Sequence, residues 1–263
     1  SLSSYRGYTS YQMNPLAASV DRFQDINASP GAWHVTGGRL RLTSNTSAPC
    51  AGFTRLSPAP EDAPDQMFAS FSLAVDLNGG SASGALGYLD FGDFPTVQPY
   101  DSTSVDGVSN RLEIRGSGNA FSLAMAGVAY GSFPADGSDV ELTWVLNQSP
   151  HPLIYDGPDA LTHTVQSGRS DLWANGTLLF ANAPRPTGLS GERLGGARFH
   201  LKASQSIQIF FDDFLFEPGF SSRTLLRQNF ESSTSLATYQ ASSPTSGQVN
   251  HIGVQASGGT WSI

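Results

Sequence analysis

Between positions 67 and 77, Met67, Ala69, Phe71, Leu73, Val75 and Leu77 take every second place, with Ser70, Ser72 and Asp76 among the residues between them. Side chains alternate faces along a strand, so this spacing predicts a strand with one buried and one wet side. Asn78-Gly79-Gly80 follows with the chemistry of a turn. The same period of two recurs at Leu40 and Leu42, Leu86 and Tyr88, Leu112 and Ile114, Phe121 to Met125, Val140 to Leu146, Leu172 to Phe180, Phe199 and Leu201, and Ile207 to Phe211. Turn-forming clusters separate nearly all of these segments, and hardly a helical period interrupts them. The pattern is that of an all-β sandwich or barrel.

Two local features sharpen it. Asn175-Gly176 supplies two residues that tolerate positive φ, which a type I′ hairpin requires. From Ile207 through Phe211 the apolar residues fall on odd positions, and at Phe214 and Phe216 on even ones, with Asp212-Asp213 at the break. One extra residue in a strand changes the parity in this way, so a β-bulge is expected there. Glu217-Pro218-Gly219 then ends the strand, because proline cannot donate to the ladder.

Residues 219–263 read differently, as a Ser/Thr/Gln-rich tract ending in Gly258-Gly259-Thr260-Trp261-Ser262-Ile263. Its outline parallels the N-terminal piece from Phe23 to Gly31-Ala32-Trp33-His34-Val35. The chain is thereby divided into an N-terminal extension (1–20), a β-sandwich (21–218) and a C-terminal extension (219–263). The last of these is read as a partial second repeat or a donated strand, with Trp261 and Ile263 as assembly contacts and the protein itself as partner, in an oligomer or filament.

Composition narrows the class further. The 28 Gly, 16 Pro, 16 Phe and only 14% charged residues describe short strands joined by many turns, and 263 residues can bury a core without staples. A formal charge of −8 with no Arg/Lys stripe argues against nucleic acid. No run is long and apolar enough for a membrane span. One lysine, Lys202, stands against many arginines, and Ser, Thr, Asn and Gly are plentiful, as is usual in secreted bacterial surface proteins. The start at Ser1 fits a processed chain. An extracellular or cell-surface location is therefore expected. Cys50 is alone, so it makes no internal disulfide or thiolate zinc site and reads as a small buried thiol.

The stretches Asp139 to Leu146, Ser170 to Leu178 and Ile209 to Phe214, with an aromatic-x-Asn-Gly hairpin at 173–176 and Phe211-Asp212-Asp213-Phe214 in a final strand, resemble concanavalin A-like and laminin G-like jelly-roll domains of bacterial secreted and surface proteins. The resemblance covers roughly residues 20 to 218 and implies a two-sheet antiparallel jelly roll with a C-terminal extension. It speaks to fold rather than activity.

Candidate chemistry is sparse. Arg111-Leu112-Glu113-Ile114-Arg115 resembles the Arg-x-Glu-x-Arg strand of jelly-roll alginate lyases, which lines an anionic-sugar groove. On a strand these three polar side chains share a face, so they form either a solvated ion-pair row or part of a sugar site. The other lyase motifs are absent, and no His and Tyr are marked as a proton-transfer pair. A Glu-x-Asp-x-x-Glu glycosidase pattern is absent too. Tyr88 and Trp173 are aromatics that could stack on sugar rings. Asp90-Phe91-Gly92-Asp93 and Asp136-Gly137-Ser138-Asp139 are either turns or loop carboxylates for calcium, the one cofactor the sequence suggests. Asp101 to Asp106 and Asp156 to Asp159 read the same way. His34, His151, His163, His200 and His251 are scattered singly, and Asn27, Asn45, Asn147 and Asn175 open Asn-x-Ser/Thr sequons read as surface loops. The expected function is a non-catalytic extracellular structural or adhesive protein, with a carbohydrate-binding module second and a polysaccharide lyase or hydrolase third.

Overall fold

In the computed structural model, the described residues are 25–28, 32–44, 51–55, 63–94, 105–202, 206–218 and 226–228. Among them the chain forms two large antiparallel sheets, as the period of two requires. The first runs β1 (Asp25–Ala28), β4 (Ala51–Arg55), β15 (Gly196–Leu201), β6 (Ala82–Gly92), β7 (Val108–Gly118), β8 (Ala120–Met125), β9 (Val128–Pro134). The second runs β14 (Thr177–Pro184), β13 (Arg169–Ala174), β10 (Val140–Asn147), β5 (Gln66–Asp76), β16 (Gln208–Pro218), β3 (Arg39–Thr43), β2 (Ala32–Thr36), with β17 (Leu226–Gln228) also paired to β16. A separate hairpin joins β11 (Leu153–Asp156) to β12 (Thr162–Val165).

The two sheets face each other across one aromatic-rich core. Phe53 from β4 meets Phe211 from β16 edge-on at 5.5 Å, and Phe91 from β6 meets Trp144 from β10 at 5.5 Å. Such tilted and edge contacts suit ring quadrupoles and add to the burial term. The alternation read at 67–77 holds on the core side, where Met67, Ala69, Phe71, Leu73 and Val75 are all buried.

The parity break is a bulge. Asp212 pairs with Ser72, but the next paired residue is Leu215, with Ser70, and Asp213 sits at φ +50°. Asp213 and Phe214 thus lie opposite Phe71 alone, and this one extra residue turns Phe214 and Phe216 back into the core. Asn175 and Gly176 take φ +48° and +74° in a two-residue hairpin between Ala174 and Thr177, the I′ geometry expected.

The wet side of the second sheet departs from expectation. Ser72 and Ala74 are buried, and residues 144–147 are buried in succession. Over Val145 and Trp173 the reason is the β11–β12 hairpin, whose Leu153, Tyr155 and Val165 pack there as a second small core outside the sheet, with Phe68 and Leu178 at its margin. Asn147 anchors this cap. Its Nδ2 donates to the carbonyls of His151 and Val165, and its Oδ1 accepts from Gln66 Nε2 and the Ser149 amide. The sequon at Asn147 is therefore not a surface loop: the side chain has no exposure and four partners.

Candidate functional site

The outer face of the seven-stranded sheet collects the charge that the core excludes. On β7, Leu112 and Ile114 point into the core, which places Arg111, Glu113 and Arg115 on the opposite side. On β6 the same alternation puts Tyr88 and Asp90 outward, and on β15 it puts Arg198 and His200 outward, with Lys202 just beyond the strand end. Register then sets the rows: Asp90 lies between Arg198 and Arg111, and Tyr88 lies between His200 and Glu113.

The first row is a buried ion cluster. Arg111 donates from Nε to Asp90 Oδ1 at 2.7 Å and from Nη2 to Oδ2 at 2.9 Å, while Arg198 Nη2 donates to Oδ2 at 2.7 Å. Burial alone would raise the Asp90 carboxyl, but the Arg111 hydrogen bonds, followed by His200 and Arg198, outweigh it and hold the group well below the usual carboxylate range. Phe94 lies over the Arg198 guanidinium at 5.0 Å. Phe94 is placed by a tight crossing in which the Asp93 amide donates to Gly107 O at 2.7 Å. Gly107 has φ +70°, and a Cβ there would fall 2.2 Å from the Asp93 carbonyl, so only glycine fits.

In the second row, Tyr88 is half-buried and its ring is flanked from both neighbouring strands. The Arg111 guanidinium stands 4.7 Å from the ring centroid and Lys202 Nζ 5.7 Å, and the His200 ring centroid is 5.1 Å away at an interplanar angle of 33°. The ring therefore holds cations in place, and its edge and hydroxyl, rather than an open stacking face, remain for a ligand. His200 is 1% exposed, and its Nε2 stands 3.6 Å from Asp90 Oδ2, an ion-pair distance too long for a hydrogen bond. Among the described residues neither of its ring nitrogens has a hydrogen-bond partner. Burial, then the Arg198 and Arg111 charges, depress its basicity more than Asp90 restores it, so the ring is neutral at neutral pH. Beyond it, Arg115 pairs with Glu113 along the same strand at 2.8 Å and keeps 41% of its side chain exposed.

Of the residues singled out from sequence, Arg111, Glu113, Arg115 and Tyr88 are brought together. Trp173 is not: it lies on β13 in the opposite sheet, 2% exposed, donating from Nε1 to Tyr155 Oη, which in turn donates to Asp171. That aromatic is core and offers no stacking surface. Both oxygens of Asp90 are taken by guanidiniums, and the two cations on it would repel a third. Asp93 contributes its backbone to the Gly107 crossing. At 136–139, the Asp136 carboxylate accepts the Ser138 amide, and Arg39 bridges Gly137 O and Asp139 Oδ1, so the turn reading accounts for both acids. Asp159 likewise accepts the Leu161 amide and pairs with His163 at 3.0 Å. Among the described residues no group of three or more His, Cys, Asp or Glu converges as a metal site. Cys50, Asn45, Trp261 and Ile263 lie outside the described residues.

Arg198, His200 and Lys202 were missed from sequence. The signal is the alternation Arg198-Phe199-His200-Leu201-Lys202, which puts three basic side chains on one face of a strand behind the apolar positions Phe199 and Leu201. The structure also supplies the neighbouring His and Tyr that the sequence did not mark, as His200 and Tyr88.

The sequence matches no known protein family and no curated relative. Its fold is similar to those of several solved structures. One is a cellulose-induced protein, Cip1, at 11% identity and TM-score 0.42, covering 71% of this chain and 84% of that one. Another is an endo-β-1,4-glucuronan lyase from the fungus Trichoderma reesei, at 9% identity and TM-score 0.45, covering 82% and 97%. A third is a protein of unknown function with a galectin-like fold from Bacillus subtilis, at 14% identity and TM-score 0.41, covering 71% and 86%. These likenesses are of the β-sandwich alone.

Proposed function

We propose that the outer face of the seven-stranded sheet, centred on Tyr88, binds an anionic saccharide, and that the protein is a non-catalytic recognition module working outside the cell. The observation that carries this reading is the company around Tyr88. Among the described residues of this face, Arg111, Arg115, Arg198 and Lys202 stand against only Asp90 and Glu113, on a chain whose formal charge is −8. A local excess of cations on an acidic protein focuses anions to one place. Asp90 fixes Arg111 in a fork before any ligand arrives, which reduces the ordering cost of binding. The flanked ring of Tyr88 disfavours neutral sugars, which bind sheet faces largely by stacking.

Calorimetric titration with an oligouronate, a sulfated oligosaccharide and a neutral glucan of matched length tests this. Binding of the two anionic ligands that weakens with salt supports the reading. Binding of the neutral glucan alone, or of none of them, overturns it.

A uronate lyase is the second reading, favoured by the Tyr88–His200 pair, since elimination needs a proton acceptor and a donor beside the sugar. Against it stands the 1% exposure of His200, which keeps its nitrogens from a substrate in this conformation. Appearance of unsaturated-uronate absorbance on incubation with polyuronates would select the lyase. Assembly through residues 219–263 is a separate proposal about residues almost wholly outside those described. It is tested by light scattering on the full chain and on a chain ending at Pro218.

A further inference from the structure

His200 is the one described side chain of this face that is buried, neutral and unpaired by hydrogen bonds on both ring nitrogens. An orphaned buried imidazole is costly, so its place among cations calls for a reason. The groups facing it are few. Arg198 and Lys202 come from its own segment, Asp90 and Tyr88 from β6, and Arg111 from β7 behind Tyr88; on the β4 side the residue opposite is Gly52, which has nothing to titrate. Among the described residues Asp90 is the one anion in direct reach, and it is already shared by Arg111 and Arg198.

We propose that His200 couples ligand binding at this face to proton uptake: an acidic group docked at the edge of Tyr88, between Lys202 and Arg111, draws a proton onto His200. The inference rests on the anionic-saccharide reading. The physics is a change in local charge balance. Without ligand, a proton on His200 would face Arg198 and Arg111 in a desolvated place with one shared carboxylate to offset them. A ligand anion beside Lys202 and Arg111 offsets that repulsion through the desolvated space between them and favours the imidazolium without touching it. By linkage, a ligand that favours the protonated form binds better where protons are available. Affinity therefore rises as pH falls, by up to about tenfold per pH unit for one coupled proton. A mildly acidic setting would load the site and a neutral one release it.

The test is calorimetry of the full chain near the ordinary histidine pKa of about 6.5, in two buffers of different ionisation enthalpy. The probes are an oligouronate and a sulfated oligosaccharide. The sulfate ester stays charged throughout, so any pH dependence seen with it cannot come from the ligand. Uptake approaching one proton per ligand, lost in His200→Gln while binding persists, is the expected result. A second measurement follows the His200 ring by NMR in the wild type, where adding ligand should raise its titration midpoint. Binding without proton uptake, or uptake unchanged in His200→Gln, overturns the coupling and leaves the binding reading standing. No binding of either probe overturns both.

Discussion

Asp90 on β6 and Arg111 on β7 face each other in a fork, Nε to Oδ1 at 2.7 Å and Nη2 to Oδ2 at 2.9 Å, with Asp90 fully buried. The same carboxylate also accepts from Arg198, which is 1% exposed. One acid thus offsets two guanidiniums in a desolvated place. Asp90→Asn keeps the shape and removes the charge, which should cost about 3–5 kcal/mol of stability. Urea unfolding measures it, and an unchanged midpoint would mean that the cluster is not stabilised through this carboxylate. Adding Arg198→Met to Asp90→Asn should recover part of the loss.

Stability should fall in mild acid because of His200. Its basicity is depressed in the folded state, by burial first and then by Arg198 and Arg111, so below about pH 6.5 the unfolded chain binds the extra proton. The contribution is complete above that value and is lost as pH falls through it, at no more than about 1.4 kcal/mol per pH unit. Asp90, lowered in the fold, adds a more acidic window that is lost as pH drops below about 3.9. Unfolding curves across this range should show the upper window in wild type and not in His200→Gln.

The core-facing side of this fold was legible because one physical rule, alternation, governs it: the strands at 67–77 and 207–216, the bulge and the Asn175-Gly176 hairpin all follow from parity and turn chemistry. The second core was not. Leu153, Tyr155 and Val165 sit in strands of four residues, too short for a period to show, and they bury Val145 and Trp173 from the side the alternation assigns to water. For the site, Arg111 to Arg115 announced itself as a charged strand face. Its partners did not, since pairing Asp90 with Arg198 across 108 residues needs the strand order of the sheet, which no local pattern contains.

Asn147 should prove a linchpin. Two carbonyls, one amide and the Gln66 side chain all converge on its buried amide group. Asn147→Ala leaves these partners unpaired and should cost about 2–4 kcal/mol. Amide exchange should speed up first in residues 153–165, the hairpin it pins. Uniform loss of protection across both sheets would instead show that the hairpin and the sandwich open as one unit.

Asp213 occupies the left-handed region at φ +50° on the exposed side of the bulge. Glycine adopts that conformation without strain, so Asp213→Gly should leave stability unchanged or raise it by up to about 1 kcal/mol. Asp213→Val should lower it by at least as much, because a β-branched side chain resists positive φ. Equal midpoints for the two variants would show that the bulge relaxes when its residue changes.

Lys202 and Arg115 carry the last prediction, because they separate binding from folding. Both are substantially exposed, and the Arg115–Glu113 pair at the surface contributes little to stability. Lys202→Glu and Arg115→Glu should therefore unfold at nearly the wild-type midpoint, yet each should weaken an anionic saccharide by about tenfold at low salt, with the difference shrinking as salt screens it. Arg111→Lys should behave differently: it keeps the charge but cannot fork to Asp90, so it should lose both stability and affinity. If Lys202→Glu and Arg115→Glu bind as wild type does, the ligand of this protein does not lie on this face.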